Sequence, residues 1–276
     1  MTLFEKTVHA LQWSIETPKP YGTWHIASLI IVAAISVYIV LRFRDAKDTT
    51  MRRIVLIAWL AMVLSEIYKQ TVFSLDVNEM VASWDYQWYA FPFQFCSTPL
   101  YVMPFVAFMK ECKLREAAMT FLMTFSLFAG VAVMLYPADV FIGMLGINIQ
   151  TMLHHGLQVI IGVYLVAYNR YKLKKGQLLS GATVFMTLAA AALVMNVSVH
   201  AAHKAAGIDE IFNMFFISPY HDCTLPVLSA IYPKVPYPVF LLTYILGFTL
   251  VAAIFFSVEL LISKRLKQRK AQKTTV

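Results

Sequence analysis

Residues 148–169 read NIQTMLHHGLQVIIGVYLVAYN. The stretch contains no Lys, Arg, Asp or Glu. At about 1.5 Å of rise per residue, a helix of this length crosses a hydrocarbon layer of about 30 Å. It nevertheless carries Gln150, His154, His155 and Gln158 near one end. Such groups are costly in hydrocarbon, so they line a cavity or mark a site. This one segment therefore sets the fold type and the place to look for chemistry.

The composition outside it agrees. The chain has 276 residues, 59% of them hydrophobic and 14% charged, with a mean hydropathy of +0.66. That excludes an ordinary soluble domain. Apolar segments fall at 22–42, 54–75, 88–109, 117–136, 148–169, 179–203 and 237–262. The expected fold is an all-α, polytopic seven-transmembrane-helix bundle formed by residues 22–262. Ahead of it, Leu3, Phe4, Val8, Leu11 and Ile15 share a helical stripe that Pro18 and Pro20 end, so residues 1–21 read as an outer interfacial helix. They lack the basic start and compact apolar run of a signal peptide. Residues 263–276 form a basic tail.

The formal charge of +8 lies mostly in short loops and this tail. Arg42, Arg44, Lys47, Arg52 and Arg53 follow the first span; Lys110, Lys113 and Arg115 follow the third; Arg170, Lys172, Lys174 and Lys175 follow the fifth. The positive-inside rule then gives an outer N-terminus and an inner C-terminus. Trp13, Tyr21, Trp24, Trp84, Tyr86, Trp88 and Tyr89 mark the outer interface. No basic stretch is interleaved with aromatics as a nucleic-acid groove requires. Residues 205–236 hold Pro219, Pro226, Pro233 and Pro236 and are too broken for a span. They read as a structured outer loop or a re-entrant piece.

The polar residues inside the spans fall at similar depth. From the rise per residue, Cys96, His154, His155, Asn196 and Glu66 all lie roughly 10–14 Å below the outer ends of their spans. Cys96 reads either as a buried thiol or as a nucleophile, with Gln94, Ser97 and Thr98 around it. A thiol becomes a nucleophile beside a base, and imidazole is the usual partner. His154 and His155 point about 100° apart, so one of them faces Cys96. Gln158 shares a stripe with His154. Asn196, His200 and His203 share a face of the sixth span, with Asn196 expected in the pocket and His203 at the interface. Glu66 and Lys69, one turn apart, read as an ion pair, with a lipid phosphate as the other partner for Lys69. His25 is expected at the interface. A disulfide between Cys96 and Cys223 would remove the nucleophile.

Other functions fit less well. No His-x-x-x-His or Cys-x-x-Cys supports a metal site, and no metal or other cofactor is expected. The last span has no Lys for a retinal Schiff base. Inverted repeats of a transporter are absent.

At these residues the chain resembles a family. Phe91-Pro-Phe-Gln-Phe-Cys96 is similar to the Pro-Leu-His-Leu-Cys type motif of the bacterial YwaF-like integral membrane proteins. His155-Gly-Leu resembles their His-Gly-Leu. Asn213-Met-Phe-Phe-Ile-Ser-Pro219, with Pro233 to Tyr237, resembles their Asn-Tyr-x-Phe-Leu segment and the entry to their last span. Animal relatives, the transmembrane protein 164 acyltransferases, use a cysteine on ether phospholipids. The resemblance implies Cys96 as nucleophile, His155 or His154 as base, and a bacterial cell membrane. Gln94 stands where the family often has a histidine.

The sequence reading is thus a membrane enzyme transferring or hydrolysing a phospholipid acyl group in an outer-leaflet pocket. Cys96, His155 and His154 carry the chemistry. Gln94, Ser97, Gln158, Asn196, His200, Glu66 and Lys69 line the substrate. The rivals are a non-enzymatic lipid or small-molecule binder or transporter, and a metal-dependent hydrolase. The expected partners are phospholipid or lysophospholipid.

Overall fold

The computed structural model describes residues 2–78, 81–137 and 140–274. The first residue of the expected interfacial segment and the last two of the basic tail lie outside these. Among the described residues the fold is helical apart from one two-stranded ribbon. Its helices are α1 (Leu3–Leu11), α2 (Thr23–Phe43), α3 (Asp48–Val72), α4 (Pro99–Phe108), α5 (Lys113–Leu135) and α6 (Leu145–Asn169). They are followed by α7 (Gln177–Ala206) and α8 (Tyr237–Thr274). Among the described residues, five of these are long and apolar enough to cross a membrane: α2, α5, α6, α7 and α8. Their outward residues are apolar as well; Ile30, Leu179 and Leu250 are each more than 60% exposed. A bare apolar belt of this kind is stable only against lipid or a partner.

Helix α6 is the hub, packing against α2, α3 and α5. Close approach explains its glycines. A Cβ on Gly156 would stand 2.6 Å from Val32, and one on Gly162 would stand 2.7 Å from Leu127. On the facing helix, a Cβ on Gly130 would meet Gln158 at 2.8 Å and the His155 carbonyl at 2.9 Å. Small residues let helices approach closely and gain dispersion contacts where lipid supplies no hydrophobic drive. Helix α5 contains a π-helical turn at Leu122–Ser126, which abuts α6 at Gly162.

Two ends of the bundle differ. At one, Arg115 is 2% exposed and donates to Asp48 Oδ1 at 2.6 Å and to the Val106 carbonyl at 3.1 Å. Arg52 donates to Asp48 Oδ2 at 2.7 Å, and Arg170 pairs with Asp45. Burial pushes the Asp48 carboxyl up, but the two guanidiniums outweigh it and hold the group below its ordinary range. This is the basic end. At the other lie α1, the antiparallel ribbon Leu75–Asn78 with Val81–Trp84, and residues 207–236.

Three expectations change. The helix expected over 88–109 begins only at Pro99. Before it come a 3₁₀ turn at Trp88–Ala90, an extended stretch and a second 3₁₀ turn at Phe95–Ser97. Pro92 lacks an N–H, and Pro99 is suited to a helix start rather than an interior. The interfacial segment is helical only over Leu3–Leu11, with Thr2 and Glu5 forming its capping box. The chain beyond it is extended and makes an antiparallel bridge from Ser14 to Met144. The basic tail does not separate from the last span, because α8 continues to Thr274.

Candidate functional site around Cys96

The irregular stretch before α4 places Cys96. Its 3₁₀ turn leaves the Cys96 carbonyl free of the helical ladder, and α6 supplies the donors. His154 Nε2 lies 3.0 Å and Gln158 Nε2 lies 2.7 Å from that oxygen. A carbonyl only accepts, so His154 carries its proton on Nε2. His154 Nδ1 is then left as a lone pair, and it is buried without a partner. Gln158 Oε1 is buried and unpartnered as well. His155 turns the other way: its Nδ1 donates to the Thr151 carbonyl at 2.8 Å. Of the two adjacent imidazoles, His154 is the one that meets Cys96. The contact it makes is with the backbone rather than with the thiol.

Cys96 is half-buried, and all three cysteines are free. The disulfide to Cys223 is not formed. Phe95, next to Cys96, anchors the turn in an aromatic cluster with Phe185, Phe215 and Phe248, at centroid distances of 5.0 to 5.6 Å. Tyr244 belongs to the same cluster, stacked on Phe248 at 4.4 Å. It is fully buried, and its hydroxyl has no partner. That hydroxyl lies within electrostatic reach of both the Cys96 and Cys223 thiols.

Lys69 and Glu66 complete the surroundings. Lys69 Nζ lies 2.8 Å from Glu66 Oε1, with both side chains largely buried. The Lys69 charge reaches Cys96, His154 and His155. Gln70 donates to Glu66 Oε1 at 2.8 Å and accepts from the Tyr86 hydroxyl at 2.9 Å. Burial, reinforced by the Glu66 charge, pushes the Tyr86 phenol up to about 12.

The remaining sequence candidates are engaged elsewhere. Gln94 donates to the Asn213 carbonyl at 3.0 Å and accepts from the Phe215 amide at 2.9 Å. Asn196 grips Met214 in the same way, at 3.0 Å to its carbonyl and 2.7 Å from its amide. Asn213 bonds the Ser218 amide and the Asp222 carbonyl. These amides hold a tight turn in which Phe215 and Phe216 both have positive φ, 59° and 55°. Strained backbone of this kind persists only where its surroundings over-determine it. Gln94 and Asn196 are therefore clamps, not free donors for a substrate. Ser97 is buried in the 3₁₀ turn.

His200 stacks on Tyr220, with ring centroids 3.7 Å apart. It sits near a cavity of about 480 Å³ lined by Tyr89, Gln94, Asn213, Tyr220, His221 and Asp222. His221 is held below its ordinary value by burial and by the neighbouring His200 and His203. His203 is not at an interface: it is buried under Trp88, with centroids 4.7 Å apart. Nor is His25, which is fully buried. It donates from Nε2 to the Met134 carbonyl at 2.8 Å and accepts the Tyr21 amide at Nδ1, also at 2.8 Å. Among the described residues no three His, Cys, Asp or Glu side chains converge as a metal site would need.

Long apolar helices with a lipid-compatible exterior and a polar pocket inside the apolar core define an integral membrane protein. Residues 20–259 match the TMEM164 family, and the chain belongs to it. No curated protein and no solved structure matches the chain.

Proposed function

We propose that this protein is a thiol-dependent acyltransferase or hydrolase acting on a membrane phospholipid. In this reading the chain is a YwaF-like bacterial member of its family and crosses the cell membrane seven times, with α3 and the short α4 as the two further spans. The ribbon end faces out and the basic end faces in. One observation carries the catalytic reading. Three of the buried polar atoms without a partner belong to residues next to Cys96 or within its electrostatic reach: His154 and Gln158, which hold its carbonyl, keep Nδ1 and Oε1 unused, and Tyr244 keeps its hydroxyl. Buried polar groups are nearly always satisfied, so orphans at one place mark where a ligand belongs.

In the proposed cycle His154 Nδ1 takes the Cys96 proton. The thiolate attacks the ester carbonyl, and a C–S bond forms as the carbonyl electron pair moves to oxygen. The Tyr244 hydroxyl donates to that oxyanion, the part that Gln94 and Asn196 are too engaged to play. Collapse breaks the ester C–O bond, and the imidazolium returns its proton to the departing alkoxide. A lysophospholipid hydroxyl, or water, then attacks the thioester by the same steps. Gln158 and the Nε2–H of His154 hold the Cys96 turn in place throughout.

The test is transfer of an isotope-labelled acyl chain from phospholipid to lysophospholipid by purified protein in lipid nanodiscs. Turnover in the wild type and none in Cys96→Ala is expected; equal turnover in both contradicts the mechanism. The second reading, a lipid-binding protein without catalysis, rests on the apolar cavities beside the site. It predicts retained lipid and an unmodified Cys96.

A further inference from the structure

Between α3, Pro92 and the start of α4 lies a cavity of about 650 Å³ whose lining does not include Cys96 itself. Trp59, Val63, Ile67, Leu100 and Tyr101 make its apolar walls; Gln70, Thr71, Ser74 and Trp84 lie toward the ribbon end. Along α3 from Trp59 to Thr71 the wall is about 18 Å long at 1.5 Å per residue, the scale of one bilayer leaflet. Its rim is apolar and open, with Ile67 58% and Tyr101 40% exposed. An apolar lateral opening of this kind suits a lipid chain.

The groove differs from the cavity between α2, α3 and α6, which is also apolar and measures about 630 Å³. Its wall includes a carboxylate. Glu66 lines the groove, and its ion-pair contact with Lys69 and its hydrogen bond from Gln70 both fall on Oε1. Neither uses Oε2. A carboxylate oxygen only accepts, so the complementary group is a hydroxyl or amine donor brought to that depth by an apolar chain. The charge of Lys69, the partner of Glu66, reaches Cys96 and both imidazoles, and that of Glu66 reaches His155.

We infer that the α3–α4 groove is the site for the acyl acceptor, a single-chain glycerophospholipid whose free hydroxyl donates to Glu66 Oε2. The chain runs along Trp59, Val63 and Leu100, and the headgroup sits by Ser74 and Trp84. Glu66 positions the hydroxyl within the groove, next to Lys69, whose charge reaches Cys96. The assignment of the occupant as acceptor rests on the catalytic reading above, but its binding does not require turnover.

The experiment uses the full-length wild-type protein in nanodiscs with a lysophosphatidylcholine that carries a diazirine in its acyl chain. After irradiation, peptide mapping is expected to place adducts on Trp59–Ile67 and on Leu100–Tyr101. Cys96→Ala should label in the same places, so a failed acyl-transfer mechanism leaves this result standing. Glu66→Gln keeps the shape but weakens the acceptor, and about tenfold more lysolipid should be needed for half-maximal labelling, the loss of one charge-assisted hydrogen bond. A lysolipid analogue with its hydroxyl methylated should show no difference between wild type and Glu66→Gln. Adducts concentrated on α2 and Leu153 overturn the assignment of the groove. Equal lysolipid dependence in wild type and Glu66→Gln overturns the role of Glu66.

Discussion

Two polar constellations lie side by side in this bundle, and they are opposites. Around residues 213–218, Gln94, Asn196 and Asn213 spend both halves of their amides on backbone groups. Around Cys96, the residues that hold the turn each keep one polar atom in reserve: His154 keeps Nδ1 and Gln158 keeps Oε1. Tyr244 adds a hydroxyl with no partner at all. Saturation marks a structural device, since every lone pair is already used to fix a backbone with two positive-φ phenylalanines. Unsaturation inside an apolar core costs free energy, and a fold retains it where a ligand completes the set.

Substitutions on the two sides should therefore separate chemistry from stability. The largest effect is expected from Cys96→Ala, which should abolish acyl transfer while leaving the melting temperature in detergent near that of the wild type. His154→Ala should slow transfer by about 10²–10⁴-fold, the usual worth of a general base. If His155→Ala is the more damaging of the two, the assignment of the base moves to its neighbour. Tyr244→Phe removes an orphaned hydroxyl without changing shape. It should lower kcat by about 10²-fold, as loss of an oxyanion donor does, with no loss of thermal stability. An unchanged kcat would return Tyr244 to a packing role.

Asn196→Ala should do the reverse. It strands the Met214 amide and carbonyl, so about 2 kcal/mol of stability is expected to go. The chemistry per folded molecule should survive better than in Tyr244→Phe. Guanidine or thermal unfolding monitored by tryptophan fluorescence reads this directly.

The smallest effect lies at the basic end, away from both constellations. Asp48 is held below its ordinary value in the folded protein. A depressed carboxyl contributes stability above its unfolded value and loses it as pH falls through its folded value. The gap in melting temperature between wild type and Asp48→Asn should therefore be full at pH 7 and close on acidification below about pH 4. A gap that is constant with pH would deny the pair with Arg115 its electrostatic share.

The contrast also shows what could be read from residue order alone. Apolar segments and the Pro-rich break at 205–236 announced long helices and one irregular connection, because span length and proline chemistry are local. Rise per residue put Cys96 and His154 at one expected depth, and helical spacing put Gln158 on the His154 stripe; α6 does bring His154 and Gln158 to the Cys96 carbonyl. Rotation about the helix axis was not legible, so the choice between His154 and His155 needed coordinates. Gln94 and Asn196 looked like site residues because a polar group in a span carries no sign of what satisfies it. Their partners are backbone atoms of Asn213, Met214 and Phe215, and the positive φ of Phe215 and Phe216 gives no signal in phenylalanine. Tyr244 sits at four-residue spacing between Phe240 and Phe248 and reads as core; only its unpartnered hydroxyl distinguishes it. Pro92 and Pro99 mark the broken start of α4, but the apolar run over 88–109 made the segment look continuous.

The most direct measurement is peptide mass spectrometry of the wild-type protein after incubation with mixed phospholipids. The account predicts an acyl adduct on Cys96 that hydroxylamine removes and that is missing from Cys112 and Cys223. A Cys96 that stays unmodified while lipid remains bound would contradict covalent catalysis and leave the protein as a lipid binder.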